Sequence, residues 1–253
     1  MKNHALKFWS TYYKIRYYKS ITKTQTNSEI SFIKKQLPVK QYKKILDFVC
    51  GFGRHSIELA NLGYNIEGFD IDKKSISFAK EIIKKASIKN IKLYFKDSTK
   101  FNKKESFDAT ICLYSSVGFL TPKQNERAFK NLFSSVKNGG RIVFDVMNPE
   151  WAKKNLIKYA EKLINHDDES HIIKHRRSIL EHPTREKNEI EFINLKTGEV
   201  SKTFYIVCLY SIQELRKIFS LNGFTIKKEY GSCIGDKISP NKQRIIIVAD
   251  KLS

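Results

Sequence analysis

A buried strand that runs into a glycine-rich turn constrains this chain more than any other feature of its sequence. Residues 45–53 read Ile-Leu-Asp-Phe-Val-Cys-Gly-Phe-Gly, and the next apolar strand ends on Asp70. Glycines allow a ligand to approach the backbone closely, because a side chain there would collide with it. An acidic residue after the following strand can accept hydrogen bonds from both hydroxyls of a ribose. The pattern therefore predicts a cofactor that contains adenosine.

The details of the turn disfavour a dinucleotide. The dinucleotide fingerprint has a third glycine, which permits close packing of helix on strand beneath a pyrophosphate. Here Gly51 and Gly53 fill the first two places, but Ser56 stands at the third. Asp47 lies just before the turn, and a carboxylate repels a pyrophosphate but attracts an ammonium group. The sequence favours a cofactor with a cationic amino-acid tail and no phosphate.

Length and composition indicate one large globular domain. The chain has 253 residues, of which 41% are hydrophobic, enough to bury a sizeable core. No apolar run approaches the roughly 18–20 residues that span a bilayer, and the first residues lack an apolar signal core. We therefore predict a cytoplasmic protein without membrane insertion. The four cysteines have no metal-type spacing, so we expect reduced thiols and no metal site.

The net charge of +21 admits two interpretations. Of the 47 basic residues, 38 are lysines and nine are arginines, and the lysines are spread over nearly every predicted helix. Nucleic-acid-binding surfaces more often concentrate arginine and aromatic residues on one face. Solvated lysine faces are therefore favoured over a polyanion-binding surface, while a nucleic-acid partner stays possible. Both interpretations are compatible with a small anionic substrate, which the positive field would attract.

Strands alternate with helices through the first 146 residues. Such alternation is typical of a parallel sheet with helices on both faces, so we predict an α/β fold with a doubly wound, Rossmann-like sheet. The predicted strands are 44–49, 65–69, 91–95, 108–113 and 141–146. The predicted helices are 28–37 with Ser28 as its cap, 54–62, 73–87, and 122–137 closed by Asn138-Gly-Gly140.

The alternation breaks between residues 150 and 209. We predict a helix near 150–163 and then short strands, with Lys196-Thr-Gly198 as a hairpin turn between 189–195 and 200–208. This stretch is interpreted as an antiparallel β insertion over the carboxyl edge of the sheet. The core resumes with helix 211–221 and strands 224–230 and 243–250. We thus expect a single domain over 1–253, with a helical cap at 1–40 and the insertion at 150–209.

Several segments, in order along the chain, resemble the class I S-adenosylmethionine-dependent methyltransferases. Asp47-Phe-Val-Cys-Gly-Phe-Gly-Arg-His55 is similar to their first motif, D-x-G-C-G-x-G-R-H, although Val49 stands where the family usually has glycine. The resemblance implies S-adenosylmethionine as cofactor, S-adenosylhomocysteine as product, and a C-terminal antiparallel hairpin in the sheet. After the fourth strand the chain reads Cys112-Leu-Tyr-Ser-Ser, whereas nucleic-acid amino-methylating members carry Asp/Asn-Pro-Pro-Tyr/Phe there. The chain therefore resembles the small-molecule branch.

The resemblance also implies which residues bind the cofactor. Asp47 would meet the ammonium group, Asp70 the ribose hydroxyls, and Asp97 the amino group of adenine. Glycines of the turn would allow close approach, Ile71 would pack on adenine, and an N-terminal tyrosine would close the site. The full predicted set is Tyr13, Asp47, Cys50, Gly51, Gly53, Asp70, Ile71, Asp97, Ser98 and Leu113. His55 is expected to pack near the cofactor rather than to transfer protons.

Candidate catalytic and substrate-binding residues are less well defined. A general base is needed only if the methyl acceptor must lose a proton, as a hydroxyl must. His171 and His175 share one face of a predicted strand in the insertion, and Asp145 ends the fifth core strand. Arg176 and Arg177 could grip a carboxylate or phosphate, with Tyr114 beside the acceptor. The histidines and arginines could equally form a solvated basic strand.

These observations favour one function and leave two alternatives. The favoured function is methyl transfer from S-adenosylmethionine to a small anionic metabolite, with oxygen favoured over nitrogen as the acceptor. An RNA methyltransferase is the alternative that the charge supports. A non-catalytic S-adenosylmethionine-binding protein is the alternative that Val49 allows. The sequence leaves a monomer and a homodimer equally open.

Overall fold

The fold is described by a computed structural model that covers residues 21–166, 169–181 and 183–252. Its centre is a seven-stranded sheet of order β10-β11-β5-β4-β1-β2-β3. Strands β1 to β5 are parallel, and β11 runs antiparallel between β5 and β10. The strands are Lys44–Phe48 (β1), Asn65–Asp70 (β2), Ile91–Phe95 (β3), Phe107–Cys112 (β4), Val136–Met147 (β5), Phe224–Tyr230 (β10) and Arg244–Lys251 (β11). The predicted Rossmann-like sheet and its C-terminal hairpin are confirmed.

Helices cover both faces of this sheet because its central strands are apolar on both sides. One face buries Ile33, Leu59 and Ile76, and the other buries Leu132 and Phe219. The helices are Lys23–Gln36 (α1), Arg54–Asn61 (α2), Lys73–Lys85 (α3), Pro122–Ser134 (α4), Pro149–Lys154 (α5) and Ile212–Leu221 (α6). Among these described helices none is long and apolar enough to cross a membrane.

A second, antiparallel sheet forms most of the predicted insertion. It consists of Tyr159–His166 (β6), Glu169–Leu180 (β7), Arg185–Asn194 (β8) and Val200–Cys208 (β9), in that order. The turn at 196–198 joins β8 to β9, as the sequence predicts. Cys208 N–H donates to the carbonyl of Gly118 at 2.9 Å, and the ring of Tyr205 lies edge-on to Phe119, with centroids 5.6 Å apart. The second sheet thus contacts the loop that follows β4.

Three local predictions are wrong. The helix near 150–163 ends at Lys154, because the chain leaves it at Asn155 to enter edge strand β6. The helix at 28–37 begins instead at Lys23, because Thr22 and not Ser28 caps it by accepting from Gln25 N–H at 3.0 Å. The helix predicted at 122–137 ends at Ser134, and residues 138–140 do not close it but lie within β5, which starts at Val136. Gly139 has φ +72°, and the register between β5 and β4 shifts in this stretch.

Candidate active site

A cleft opens at the carboxyl ends of β1, β2 and β4, where ligands bind in open α/β sheets. Its lining includes every cofactor residue predicted from the sequence except Gly53 and Tyr13. Gly53 is not itself a lining residue, although its neighbours Phe52 and Arg54 are, and Tyr13 falls outside the described residues. The predicted acceptor residue Tyr114 also lines it. The cleft therefore brings the local motifs of four segments into one site.

The glycine turn, residues 49–53, leaves open space beside its backbone. Gly51 has φ +57°, and a Cβ built there would meet nothing within 4 Å, so the glycine faces the cleft. Gly53 has φ +73° and precedes α2; a Cβ there would lie 3.0 Å from Leu93 Cδ1. One glycine thus provides room for a ligand and the other permits close helix packing.

Asp70 supports the glycine turn with both carboxylate oxygens. Oδ2 accepts from Gly51 N–H at 2.9 Å, and Oδ1 accepts from Asp72 N–H at 2.8 Å. Each oxygen keeps a further lone pair, so the carboxylate can also accept from a ribose. Burial raises the pKa of Asp70 to about 6, against the lowering effect of the two N–H donors. Asp72 itself caps α3, where it accepts from Lys74 and Ser75.

Asp47 and Cys50 form the floor of the cleft below the turn. Asp47 is 3% exposed, and Ser56 Oγ donates to its Oδ2 at 2.5 Å. Burial raises the pKa of Asp47, so a cationic ligand group beside it would stabilise its ionised form. Cys50 N–H donates to the carbonyl of Phe69 at 2.8 Å, which ties the turn to β2. Burial holds the pKa of the Cys50 thiol well above its usual range, so it is not a nucleophile.

Val49 explains why a glycine is usual at its position. Its φ is +62°, in the left-handed region that β-branched residues rarely adopt. Tyr114 and Ser115, at the end of neighbouring β4, have φ +61° and +55°. Left-handed backbone costs about 1–2 kcal/mol per non-glycine residue. Strain therefore concentrates at two adjacent strand ends that border the cleft.

The part of the cleft around Asp97 contains the groups that we predict to meet adenine. Asp97 Oδ1 accepts from both the N–H and the hydroxyl of Thr99, each at 2.8 Å. These contacts fix the carboxylate at the cleft, which Ser98 and Ile71 also line. Its role toward adenine stays a prediction, as do the individual roles of the other cofactor residues.

A wall of buried charged and aromatic groups borders the cleft on the other side, and we call Glu29, Arg54, His55 and Tyr114 the Tyr114 wall. Glu29 lies on α1, and its carboxylate accepts from His55 Nε2 at 3.0 Å, from Arg54 Nη1, and from the Tyr114 hydroxyl. Burial acts to raise the pKa of Glu29, but the His55 hydrogen bond, Arg54 and Tyr114 outweigh it and lower the pKa to about 2. Glu29 is therefore a carboxylate throughout the neutral range.

Arg244 and Asp145 support this wall from behind. Arg244 Nε donates to Asp145 Oδ1 at 2.6 Å, and its Nη2 donates to Oδ2, while Asp145 is 4% exposed. Tyr114 N–H donates to the same Oδ2 at 3.1 Å. The guanidinium carbons of Arg54 and Arg244 lie 5.0 and 5.1 Å from the Tyr114 ring centroid, within cation–π range. Asp145 thus holds a cation and the backbone of Tyr114.

None of the predicted catalytic residues lines the cleft, and neither do the two predicted substrate-binding arginines. His171, His175, Arg176 and Arg177 all lie on β7 of the second sheet. His175 Nδ1 lies 3.3 Å from Asn188 Oδ1, and Arg177 Nε donates to Glu186 at 2.8 Å. Asp145 also lies outside the lining. Their catalytic and substrate-binding roles stay predictions.

Sequence reasoning missed three residues of the site. Glu29, Arg54 and Arg244 meet at Tyr114 from α1, α2 and β11. Arg54 directly follows the glycine turn and was visible as part of the motif. Glu29 is 7% exposed on a helix whose pattern is amphipathic, and a buried acid on such a helix is a usable signal. Arg244 had no signal, because only the fold places it beside Asp145.

The cleft has the shape and chemistry that S-adenosylmethionine requires. Gly51 leaves open space above the turn, Asp70 offers acceptors for a ribose, and the buried carboxyl of Asp47 suits an ammonium group. In the described part of the chain no cluster of His, Cys, Asp or Glu could hold a metal ion. The seven-stranded order with its antiparallel final pair and this cleft define the class of S-adenosylmethionine-binding α/β domains.

Comparison with known proteins agrees with this class. Residues 45–140 match the family described as "Methyltransferase domain". A Geobacillus sp. (strain WCH70) protein that bears the provisional name of a methyltransferase is 23% identical over 229 residues, 87% of this chain and 91% of its own length. The malonyl-[acyl-carrier protein] O-methyltransferase of Bacillus anthracis is 23% identical over 85% of this chain and 78% of its own. An S-adenosylmethionine-dependent methyltransferase from Clostridium acetobutylicum ATCC 824 has the same fold, with a TM-score of 0.77 at 16% identity over 98% of this chain and 100% of its own.

The chain is accordingly an S-adenosylmethionine-dependent methyltransferase whose residues 45–140 match the methyltransferase domain family. S-adenosylmethionine is its methyl donor. The non-catalytic alternative, which the unusual Val49 left open, is set aside by this assignment.

Proposed function

We propose that this methyltransferase acts in the cytoplasm on an oxygen atom of a small anionic metabolite. The observation that carries the proposal is the position of Arg54, whose guanidinium lines the cleft beside the ring of Tyr114. Glu29 and Thr26 bind its Nη1 and thereby fix the plane of the guanidinium. A fixed guanidinium is well suited to orient a carboxylate or phosphate.

Four further features support the proposal. The segment after β4 reads Leu113-Tyr114-Ser115-Ser116 and lacks the Pro-Pro pair of the nucleic-acid amino-methylating members. Phe119 lines the cleft and packs on Tyr205 of the second sheet, which supports a role for the insertion as a cover over the acceptor. The net charge of +21 would raise the local concentration of anions. The Bacillus anthracis relative carries the name of an O-methyltransferase.

The chemistry requires mainly positioning from the protein. S-adenosylmethionine supplies a methyl group on a cationic sulfur, and transfer is an in-line displacement. Holding the acceptor in line and excluding water can provide much of the acceleration. Positive charge leaves sulfur as the bond breaks, so a site that does not over-stabilise that cation favours the transition state. Arg54 would orient the acceptor, and Tyr114 with Phe119 would exclude water.

Methyl incorporation into fractionated metabolites tests the proposal. The purified enzyme is incubated with S-adenosylmethionine labelled in its methyl group and with a metabolite extract separated by anion exchange. We expect label in fractions that bind the exchanger. Mild alkali then releases labelled methanol from methyl esters, and hot hydriodic acid releases labelled methyl iodide from methyl ethers under milder conditions than from N-methyl groups. Label confined to unbound or amine fractions would contradict the anionic or oxygen acceptor.

An RNA acceptor is the second candidate, favoured only by the net charge of +21. Total RNA takes the place of the metabolite extract in the same assay, at low and at high salt. Binding through phosphates alone weakens steeply with salt. Methyl incorporation into RNA that survives high salt would overturn the small-molecule proposal, whereas salt-sensitive binding without incorporation would leave it intact.

A further inference from the structure

We propose that His55 accepts the proton released by the methyl acceptor and that Glu29 is its positioning residue. This inference rests on the proposed function and narrows the acceptor to a group that must lose a proton, such as a hydroxyl. His55 stands in the first turn of α2, directly after the glycine turn, and lines the cleft. The sequence had suggested only a packing role for it.

The hydrogen bond from His55 to Glu29 fixes the protonation of the neutral ring. Nε2 lies 3.0 Å from Glu29 Oε2, and the low pKa of Glu29 keeps that carboxylate ionised. An ionised carboxylate can only accept, so Nε2 carries the hydrogen. Among the described residues no hydrogen bond involves Nδ1, which therefore keeps its lone pair available for a proton.

Glu29 is itself held by four donors from three segments. Gln25 Nε2 donates to Oε1 at 3.2 Å, and the Tyr114 hydroxyl donates to the same oxygen. Arg54 Nη1 and His55 donate to Oε2. A carboxylate has about four acceptor sites, so Glu29 is saturated and its orientation is fixed. This is the arrangement that a positioning carboxylate needs, and Glu29 has no spare site for a substrate hydroxyl.

Two other titratable groups near the Tyr114 wall, the Tyr114 hydroxyl and the Asp145 carboxylate, already have hydrogen-bond partners. The hydroxyl of Tyr114 already donates to Glu29 and accepts from Gln25. Both oxygens of Asp145 are paired with Arg244. Of the described groups on the Tyr114 wall, the imidazole of His55 is the one that is left to accept the proton.

The proton transfer leaves the charge of the cleft unchanged. The oxygen of the acceptor hydroxyl forms a bond to the methyl carbon, and the carbon–sulfur bond breaks with its electron pair left on sulfur. The hydroxyl proton passes to Nδ1 of His55. A cationic sulfur is thus replaced by a cationic imidazole, and the adjacent Glu29 carboxylate stabilises the latter. Solvent takes the proton from His55 after the product leaves.

Histidine titration by nitrogen NMR tests the inference without the acceptor. The whole protein, labelled with ¹⁵N in its six histidines, is titrated in complex with S-adenosylhomocysteine and separately with sinefungin. Sinefungin carries an amine where S-adenosylmethionine carries the methyl group, whereas S-adenosylhomocysteine is neutral there. Two cations close together disfavour each other, so the pKa of His55 should be about one unit lower with sinefungin. His171 on the second sheet serves as the internal control and should not respond.

Three results would overturn the inference. They are a His55 pKa that is equal in the two complexes, a neutral ring with its hydrogen on Nδ1, and a ring that stays protonated above pH 8 with S-adenosylhomocysteine. The first result is expected of an imidazole that lies too far from the methyl group to take the proton. In E29Q the pKa of His55 should fall by about one unit and the neutral ring should populate both tautomers, because the fixed carboxylate is gone. An unchanged His55 titration in E29Q would remove Glu29 as the positioning residue.

Two controls accompany the titration: one assigns the His55 resonances, and the other measures cofactor binding. The His55 resonances are assigned with H55Q, and if that variant folds poorly the other five histidines are replaced one at a time. Calorimetry measures S-adenosylhomocysteine binding to the wild type first. Absence of that binding would contradict the methyltransferase proposal itself, whereas tight binding with an unresponsive His55 would contradict only the assignment of the base.

Discussion

The two ends of the cleft are built in different ways. The nucleoside end consists of backbone N–H groups and carboxylates from consecutive segments, with Gly51, Asp70 and Asp97 each close to a strand end. The Tyr114 wall joins Glu29, Arg54, His55 and Tyr114, which come from three distant segments. In the proposed function, binding of the methyl donor relies on local motifs, whereas the choice of acceptor relies on contacts that only the folded chain brings together.

Removing Arg244 should have the largest effect on the Tyr114 wall. In Arg244→Met the carboxylate of Asp145 stays buried without its cation, and breaking such a pair costs about 3 kcal/mol or more of unfolding free energy. Denaturant unfolding followed by circular dichroism measures it. The matched control is Arg216→Met, which breaks the exposed pair with Glu229 and should cost less than about 1 kcal/mol. Equal losses of unfolding free energy in the two variants would show that the buried pair stabilises the fold no more than the exposed pair does.

Removing Asp70 should affect the nucleoside end alone. Asp70→Ala loses the ribose acceptor and the support of Gly51 N–H, so we expect the Kd for S-adenosylhomocysteine to rise about 100-fold. Isothermal titration calorimetry measures the change. The control Asp236→Ala removes an exposed carboxylate that pairs with Lys242 away from the cleft, and it should bind as the wild type does. A rise of less than fivefold in Asp70→Ala would contradict the role of Asp70.

Val49 offers a test of backbone strain at the border between the two ends. At most positions alanine is more stable than glycine by about 0.5–1 kcal/mol. At φ +62° the order should reverse, so Val49→Gly should exceed Val49→Ala by about 1 kcal/mol in unfolding free energy. Thermal unfolding of the two variants measures the difference, because they differ from each other by a single methyl group. The usual order of the two would mean that the left-handed conformation is not retained.

The smallest expected effect is the pH dependence of cofactor binding. The pKa of Asp70 is raised to about 6, and only the ionised carboxylate accepts from both ribose hydroxyls. Affinity should therefore be full above that pKa and decline as pH falls through it, by about fourfold between pH 7.5 and pH 5.5. Calorimetry with S-adenosylhomocysteine measures the decline. Asp70→Asn should bind weakly at both pH values with no such decline, which separates this titration from that of the ligand.

The residues predicted for the nucleoside end line one cleft, and they could be recognised in the sequence because their signals are local. A strand, a glycine turn and a following acid must occur within about 25 residues, so Gly51 and Asp70 are recognisable without a fold. The order of helices and strands follows from the same short-range periodicity. Between residues 21 and 150 only boundaries moved, as at α1, where Thr22 caps the helix in place of Ser28.

The Tyr114 wall could not be predicted in the same way. Glu29 and Tyr114 are 85 residues apart, and Asp145 and Arg244 are 99 apart, so no short pattern links them. In short apolar stretches, periodicity alone does not distinguish a strand from a helix. Residues 159–163 were therefore predicted as helix, although they begin β6. Pairing with β7 decides their structure, and that information lies outside the segment.

The place of β11 in the sheet affects how the molecule is made on the ribosome. The residues of the glycine turn, Asp70 and Asp97 are all synthesised well before β11, which must then enter between β5 and β10. Until β11 is made, the edge of β5 is unpaired and Asp145 has no Arg244 to pair with. Unpaired strand edges of this kind are prone to aggregation and are bound by chaperones. A chain released before residue 244 would keep that open edge and would lack the cation that supports Tyr114.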